Sequence, residues 1–123
     1  MNISKLLLAG VVGIAAITGI VAFKAPEKQV TKEVMMINVL ESVVQGGMGR
    51  SRMIVTLPNG KQESTNLENY YSLVGVNFGN IEGNDAKVIK ILNDLTKEGW
   101  KVVSASSGGN SLYFTKYTLV REQ

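Results

Sequence analysis

The chain contains neither cysteine nor histidine. The missing cysteines exclude disulfide staples, thiol chemistry and a lipidated N-terminal Cys. The missing histidines remove imidazole acid–base catalysis, and the two absences together exclude zinc sites of the Cys/His type. A cysteine-free domain folds equally well in reducing and oxidising compartments, so this absence does not fix a location. Proline is scarce, with only Pro26 and Pro58. Internal repeats and low-complexity tracts are absent as well.

A strong charge of either sign is also missing from most of the chain. The formal net charge is +3, but Lys5, Lys24 and Lys28 lie in the first 28 residues, with Glu27 as the one acid there. From residue 29 onward, 10 Lys and Arg face 9 Asp and Glu. The basic balance therefore belongs to the N-terminal segment and says little about partners of the rest. Nucleic-acid binding calls for a basic surface interleaved with aromatics. No nucleic-acid partner is expected.

What the chain does have is Leu6–Phe23, 18 residues without a charge, flanked by Lys5 and Lys24. As a helix it would span about 27 Å, close to the ~30 Å of a bilayer's hydrocarbon core. Two readings stay open. A retained single-pass anchor fits the length. A cleaved secretory signal fits the basic start, although the run is long for one and Pro26 directly after Ala25 disfavours cutting there. A buried helix of a soluble fold would show a polar face, which is lacking. The division expected is residues 1–25 as signal or anchor, 26–32 as linker and 33–123 as one small domain. The domain is expected outside the cytoplasm, anchored to the cell membrane, or secreted or periplasmic after cleavage. Ala9/Gly13 and Ala15/Gly19 are small residues at i, i+4 spacing, which also suits close helix approach.

Within the domain, Glu33–Val44 alternates in part and predicts a strand. Gln45–Arg50 has three glycines in six residues and must turn, and Ser51–Leu57 predicts a second strand. Pro58-Asn59-Gly60-Lys61 is a turn signal that could close a further hairpin with Lys61–Thr65. Leu67, Tyr70, Tyr71 and Val74 recur at helical spacing, predicting one or two helical turns, and Gly75–Gly83 reads as loop. Asn84–Glu98 is the clearest helix, with Asn84 as cap, an apolar stripe of Val88, Ile91, Leu92 and Leu95, and Gly99 as its stop. Trp100–Ser106 predicts a strand, Ser107–Asn110 a turn and Ser111–Arg121 a closing strand. On that strand Tyr113, Thr115, Tyr117 and Leu119 share one face and Leu112 and Phe114 the other. The expected fold is α+β: a small antiparallel sheet of about four strands, ordered β-β-α-β-β, with one amphipathic helix packed on it.

The run Leu92-Asn93-Asp94-Leu95-Thr96-Lys97-Glu98-Gly99-Trp100-Lys101-Val102-Val103, followed by a Tyr/Phe-rich strand, resembles the bacterial domain-of-unknown-function family numbered 4177. The resemblance covers about the last 40 residues and implies a small α+β domain. It implies no activity. The same motif has a structural explanation, because Gly99 can end the helix in a left-handed conformation and Trp100 can then fold over the helix–sheet joint.

Candidate sites are few. Gly46–Arg52 could cradle an anion with backbone N–H groups and the charges of Arg50 and Arg52. It lacks the Gly-Lys-Ser/Thr and the following helix of a phosphate loop, so a hairpin tip with solvated arginines is the preferred reading. Carboxylate pairs such as Glu63/Glu68 or Glu82/Asp85, and Ser104, Ser106 and Ser107 beside Lys101, occupy ordinary loop, cap and strand positions. No catalytic residue, metal ligand or cofactor is assigned. The expectation is a non-enzymatic binding or assembly module, meeting a protein partner or further copies of itself through a sheet edge or the tyrosines of the last strand. Tyr70, Tyr71, Tyr113, Tyr117, Arg50 and Arg52 are the candidate surface. The alternative is a small-ligand or polysaccharide binder using Tyr70, Tyr71 and the 75–83 loop, or, less favoured on the near-neutral charge, a nucleic-acid-binding protein.

Overall fold

Alternation of apolar side chains governs the first strand, and the computed structural model of the chain follows it. The structure describes residues 27–123 apart from Lys28 and Met48. The Leu6–Phe23 segment, and Pro26 and Lys28 of the 26–32 linker, lie outside the described residues. No helix among the described residues is long and apolar enough to cross a membrane.

Strand β1 (Lys32–Ser42) turns Met35, Ile37, Val39 and Glu41 to one face, all buried. Such burial stabilises by roughly 1.5–3 kcal/mol per full aliphatic side chain. β2 (Ser51–Thr56) pairs antiparallel with it and buries Ser51, Met53 and Val55 on the same face. The Pro58-Asn59 tip leads to β3 (Gln62–Leu67), as the turn signal suggested. Gly60 takes φ 83° there, a left-handed value natural to glycine, and the Asn59 side chain accepts from the Lys61 N–H at 2.9 Å.

The next segment departs from the sequence reading. Residues 66–74 form no helical turns. β3 continues to Leu67, and a two-stranded ribbon follows, β4 (Tyr71–Ser72) paired with β5 (Gly75–Val76). The helical spacing was coincidental, because Leu67 is buried at the end of β3 whereas Val74 sits at the ribbon tip with 96% of its surface exposed. The 75–83 stretch is not a loop either. After β5, Asn77 caps helix α1 (Phe78–Lys97) by accepting from the Asn80 N–H at 3.1 Å. The helix thus starts six residues before the position expected, and Asn84 is an interior residue rather than its cap.

The C-terminal end of α1 matches expectation closely. Gly99 has φ 90°, its N–H donates to the Thr96 carbonyl, and the Trp100 N–H donates back to Leu95 at 3.1 Å. This pair of bonds satisfies the last carbonyls of the helix. It turns Trp100 into the core, where it is 2% exposed. The Arg121 guanidinium lies 4.6 Å from the Trp100 ring centroid and also donates to Glu33, at 2.7 and 3.1 Å. That hydrogen bond holds the Glu33 carboxyl below its ordinary range.

β6 (Lys101–Gly109) and β7 (Leu112–Glu122) form the last hairpin. The turn expected over 107–110 is displaced, since β6 runs on to Gly109 and only Asn110 and Ser111 connect the strands. The main sheet has five strands, ordered β3-β2-β1-β7-β6, rather than about four, and the β4–β5 ribbon is a second, separate sheet. The architecture is α+β, with Val88, Ile91, Leu92 and Leu95 of α1 packed on the core face of the sheet.

Candidate functional site

The six candidate residues do not form one site. β7 carries Tyr113, Thr115 and Tyr117 on the helix-side face, directly opposite Glu41, Val39 and Ile37 of β1. Tyr113 remains exposed, and Tyr117 is half-buried against the core. Arg52 lies on the opposite face, across from Leu40 and Asn66, and Arg50 is exposed at the end of the glycine loop. Arg52 and the β7 tyrosines therefore lie on opposite faces of the sheet. Tyr71 stands in the β4–β5 ribbon opposite Val76.

Tyr70 has a structural task. Its hydroxyl donates to Glu41 Oε2 at 2.6 Å, and Asn84 Nδ2 donates to Glu41 Oε1 at 3.1 Å. Asn84 is fully buried. Its Nδ2 also donates to the Glu68 carbonyl at 2.8 Å, and its Oδ1 accepts from the Glu68 N–H at 2.9 Å. Through Asn84, one helix side chain grips the backbone just beyond β3 and the carboxylate at the end of β1. A buried polar group is tolerated when it is bonded in this way. Burial, followed by the hydrogen bond to Glu41 and its negative charge, holds the Tyr70 phenol well above the ordinary tyrosine range. Sequence reasoning missed this cluster. Its signal was present, because Asn84 continues the Val88-Ile91-Leu95 stripe at i−4.

This end of the sheet gathers loops without charge. The Tyr70 N–H donates to the Ser42 carbonyl, the Val43 N–H donates to Ser111, and Asn69 Nδ2 donates to Gly49. Residues 42–49, 69–81 and 102–115 contain no Asp, Glu, Lys or Arg. Leu73 and Val74 project from the ribbon tip 89% and 96% exposed, and Phe78 at the start of α1 is also largely exposed.

The most accessible element is β6. It pairs with β7 on one side and, among the described residues, with nothing on the other. None of its residues is buried, so neither side of the strand is covered by α1. Sheet edges are usually blunted by charge, proline or a bulge. Here the one charge, Lys101, and the one irregularity, between Val102 and Ser104, both lie at the start of the strand. Ser104–Gly109 is regular, uncharged and built of small residues. Exposed Val103, Leu112, Tyr113 and Phe114 flank it. The other edge, β3, carries Glu63 amid polar side chains and follows Lys61.

Among the described residues, no three Asp or Glu side chains converge as a shared metal ion would require. No family model, no curated protein and no solved structure matches this chain.

Proposed function

We propose that the chain is a non-enzymatic binding or assembly module that works at a membrane, or beyond it after export, and meets a protein partner through the β6 edge. One observation carries this reading. β6 is a nine-residue strand with no charge after Lys101 and, among the described residues, one unpaired side and no cover on either face. Such an edge presents backbone N–H and C=O groups in the geometry that an added strand completes. The exposed Tyr113 and Phe114 next to it, one on each face, supply side-chain contact around the backbone pairing. The membrane part rests on the length and uncharged character of Leu6–Phe23. The Gly99–Trp100 joint supports the resemblance to the 4177 family as a kinship of fold.

The alternative, a ligand site built from Tyr70, Tyr71 and the 75–83 stretch, has less in its favour. Tyr70 is engaged with Glu41, and residues 78–83 are helix.

Affinity purification of the tagged full-length chain from membranes of its native host tests the reading, with a Ser106→Lys variant run in parallel. The expected result is a stoichiometric protein partner, a second copy included, retained by the native chain and released by the variant. Recovery of the chain alone, as a monomer starting near residues 23–26, removes both the anchor and the assembly reading.

A further inference from the structure

Every strand edge is a template for another strand, and what occupies it depends on which pairings the side chains permit. In this sheet the two edges differ. β3 is guarded by Glu63 and the neighbouring Lys61, whereas β6 is unguarded from Ser104 to Gly109. A molecule with two open edges would add copies without limit. A molecule with one open and one guarded edge reaches closure when two open edges meet about a twofold axis.

From this asymmetry we infer that the occupant of the β6 edge is a second copy of the same chain, paired antiparallel with Ser106 at the twofold axis. The inference rests on the assembly reading above and specifies its partner. Three features of the strand support it. First, the axis at Ser106 sets Ser104 against Gly108 and Ala105 against Ser107 of the other copy. All are small side chains that let two backbones approach, and the axis itself allows one Ser106–Ser106 hydrogen bond. Second, Lys101 sorts the direction of pairing, whereas Lys116, across from Ser106 on β7, stands one strand back from the seam in either arrangement. In the antiparallel arrangement the two Lys101 ammonium groups lie about ten residues, or roughly 33 Å, apart along the strands. That is several times the ~8 Å Debye length at physiological salt. A parallel pairing in register would set the two lysines side by side. Third, α1 buries no residue of β6, so no described element has to move for a second strand to dock. Docking would also bring the exposed Val103, Tyr113 and Phe114 of each copy toward the seam.

The product is a continuous ten-stranded antiparallel sheet with β3 at both outer edges. On its helix side, the two β6 strands and the Tyr113–Tyr117 rows of both copies form the floor between the two helices.

The chain has no native cysteine, which makes the test direct. Single-cysteine variants Ser106→Cys and Ser104→Cys on β6, and Ser64→Cys on β3, are made in the full-length chain and oxidised in intact membranes. At the axis, opposed Cβ atoms fall about 4.5–5.5 Å apart, near disulfide range, whereas the two residues 104 lie roughly 13 Å apart. The expected result is covalent dimer at Ser106→Cys in at least about tenfold excess over Ser104→Cys and Ser64→Cys, as that difference in reach dictates. A charge placed at the axis gives a second reading on the same seam. Ser106→Lys, set beside Lys116 of β7, is expected to be monomeric in mild detergent, and the uncharged Ser106→Asn to keep the dimer. Unchanged Trp100 fluorescence in both variants verifies that the fold is intact.

Equal cross-linking at all three positions, or a monomeric native chain, overturns the proposal. If that monomer nevertheless holds a different protein that Ser106→Lys releases, self-pairing is wrong and the assembly reading stands. If it holds nothing, both fall together.

Discussion

Exchanging Asn84 for aspartate replaces one NH2 group by an oxygen and probes the most demanding contact in the molecule. In the native chain Nδ2 donates to Glu41 Oε1 at 3.1 Å and to the Glu68 carbonyl at 2.8 Å. In Asn84→Asp the replacing oxygen faces two acceptors, one of them a carboxylate. Two unit charges about 3 Å apart repel by about 5 kcal/mol at an effective dielectric constant near 20. The pair escapes part of that repulsion by keeping a proton, while the two lost hydrogen bonds add about 1 kcal/mol each. The expected loss is about 3–5 kcal/mol at neutral pH, a large fraction of a small domain's stability. The sign of the pH dependence follows from linkage. The folded variant holds a shared proton that the separated carboxyls of the unfolded chain release near their ordinary pKa of about 4. Folding therefore takes up protons at neutral pH, and the variant gains stability relative to the native chain as pH falls from about 8 to about 5. Urea unfolding in mild non-ionic detergent, followed by the fluorescence of Trp100, measures this, because Trp100 is the sole tryptophan and is buried. Asn84→Ala is the control, losing the same bonds with no added charge and no comparable pH slope. A loss below about 0.5 kcal/mol, or a deficit equal at every pH, would mean that water reaches the cluster and that the Glu41–Asn84 contact is not a buried constraint.

Other perturbations test other parts of the argument. Gly99→Ala should lower stability by about 1–2 kcal/mol, a purely conformational cost of the left-handed φ, because a Cβ there would meet only the Arg121 side chain, at an ordinary 3.7 Å from Cδ and 3.9 Å from Cγ. A thermal melt reads this as a lower Tm, and an unchanged Tm would refute the left-handed helix stop. Tyr70→Phe removes the 2.6 Å bond to Glu41 and should cost about 1.5–3 kcal/mol in urea unfolding, since the acceptor is charged. The folded chain also holds the Tyr70 proton more tightly than the unfolded chain does. Tyr70's contribution is therefore complete below the ordinary tyrosine pKa of about 10 and declines as pH rises beyond it. Tyr70→Phe should flatten that alkaline decline in a pH series of unfolding midpoints. Leu73→Ser with Val74→Ser should leave stability within about 0.5 kcal/mol, because both side chains are exposed. Retention on a hydrophobic-interaction column should fall, and unaltered retention would mean that the ribbon tip is not an accessible apolar surface.

The parts of the fold legible in the sequence were those set by a single local rule. Val88, Ile91, Leu92 and Leu95 mark a helix face, Gly99 marks its stop, and Pro58-Asn59-Gly60 marks a hairpin, and all three stand in the structure. The first two turns of α1 were hidden because Gly79 and Gly83 disguise helix as loop, although Asn77 is as good a cap as Asn84. Once Asn84 had been read as a cap, its burial and its reach to Glu41 were out of view. The helical spacing in 66–74 came from residues serving two different sheets. Strand order lay beyond local rules altogether, since β1 pairs with β7 from Lys32↔Glu122 to Ser42↔Leu112. The uncharged run from Val102 to Gly109, which forms the open edge itself, could have been read directly as a missing guard.

The position of β1 also governs when this sheet can form. The strand nearest the start of the domain lies at the centre of the sheet, and its neighbour β7 is separated from it by almost the whole domain. Closure of so large a loop is entropically costly and slow compared with local pairing. Until residues 112–122 are available, β1 has only β2 beside it, and the hydrophobic layer under α1 lacks Leu119 and Tyr117. The domain therefore completes its fold only once residues 112–122 have been made, and a ribosome that has made only the earlier residues carries local hairpins and helix rather than a finished globule.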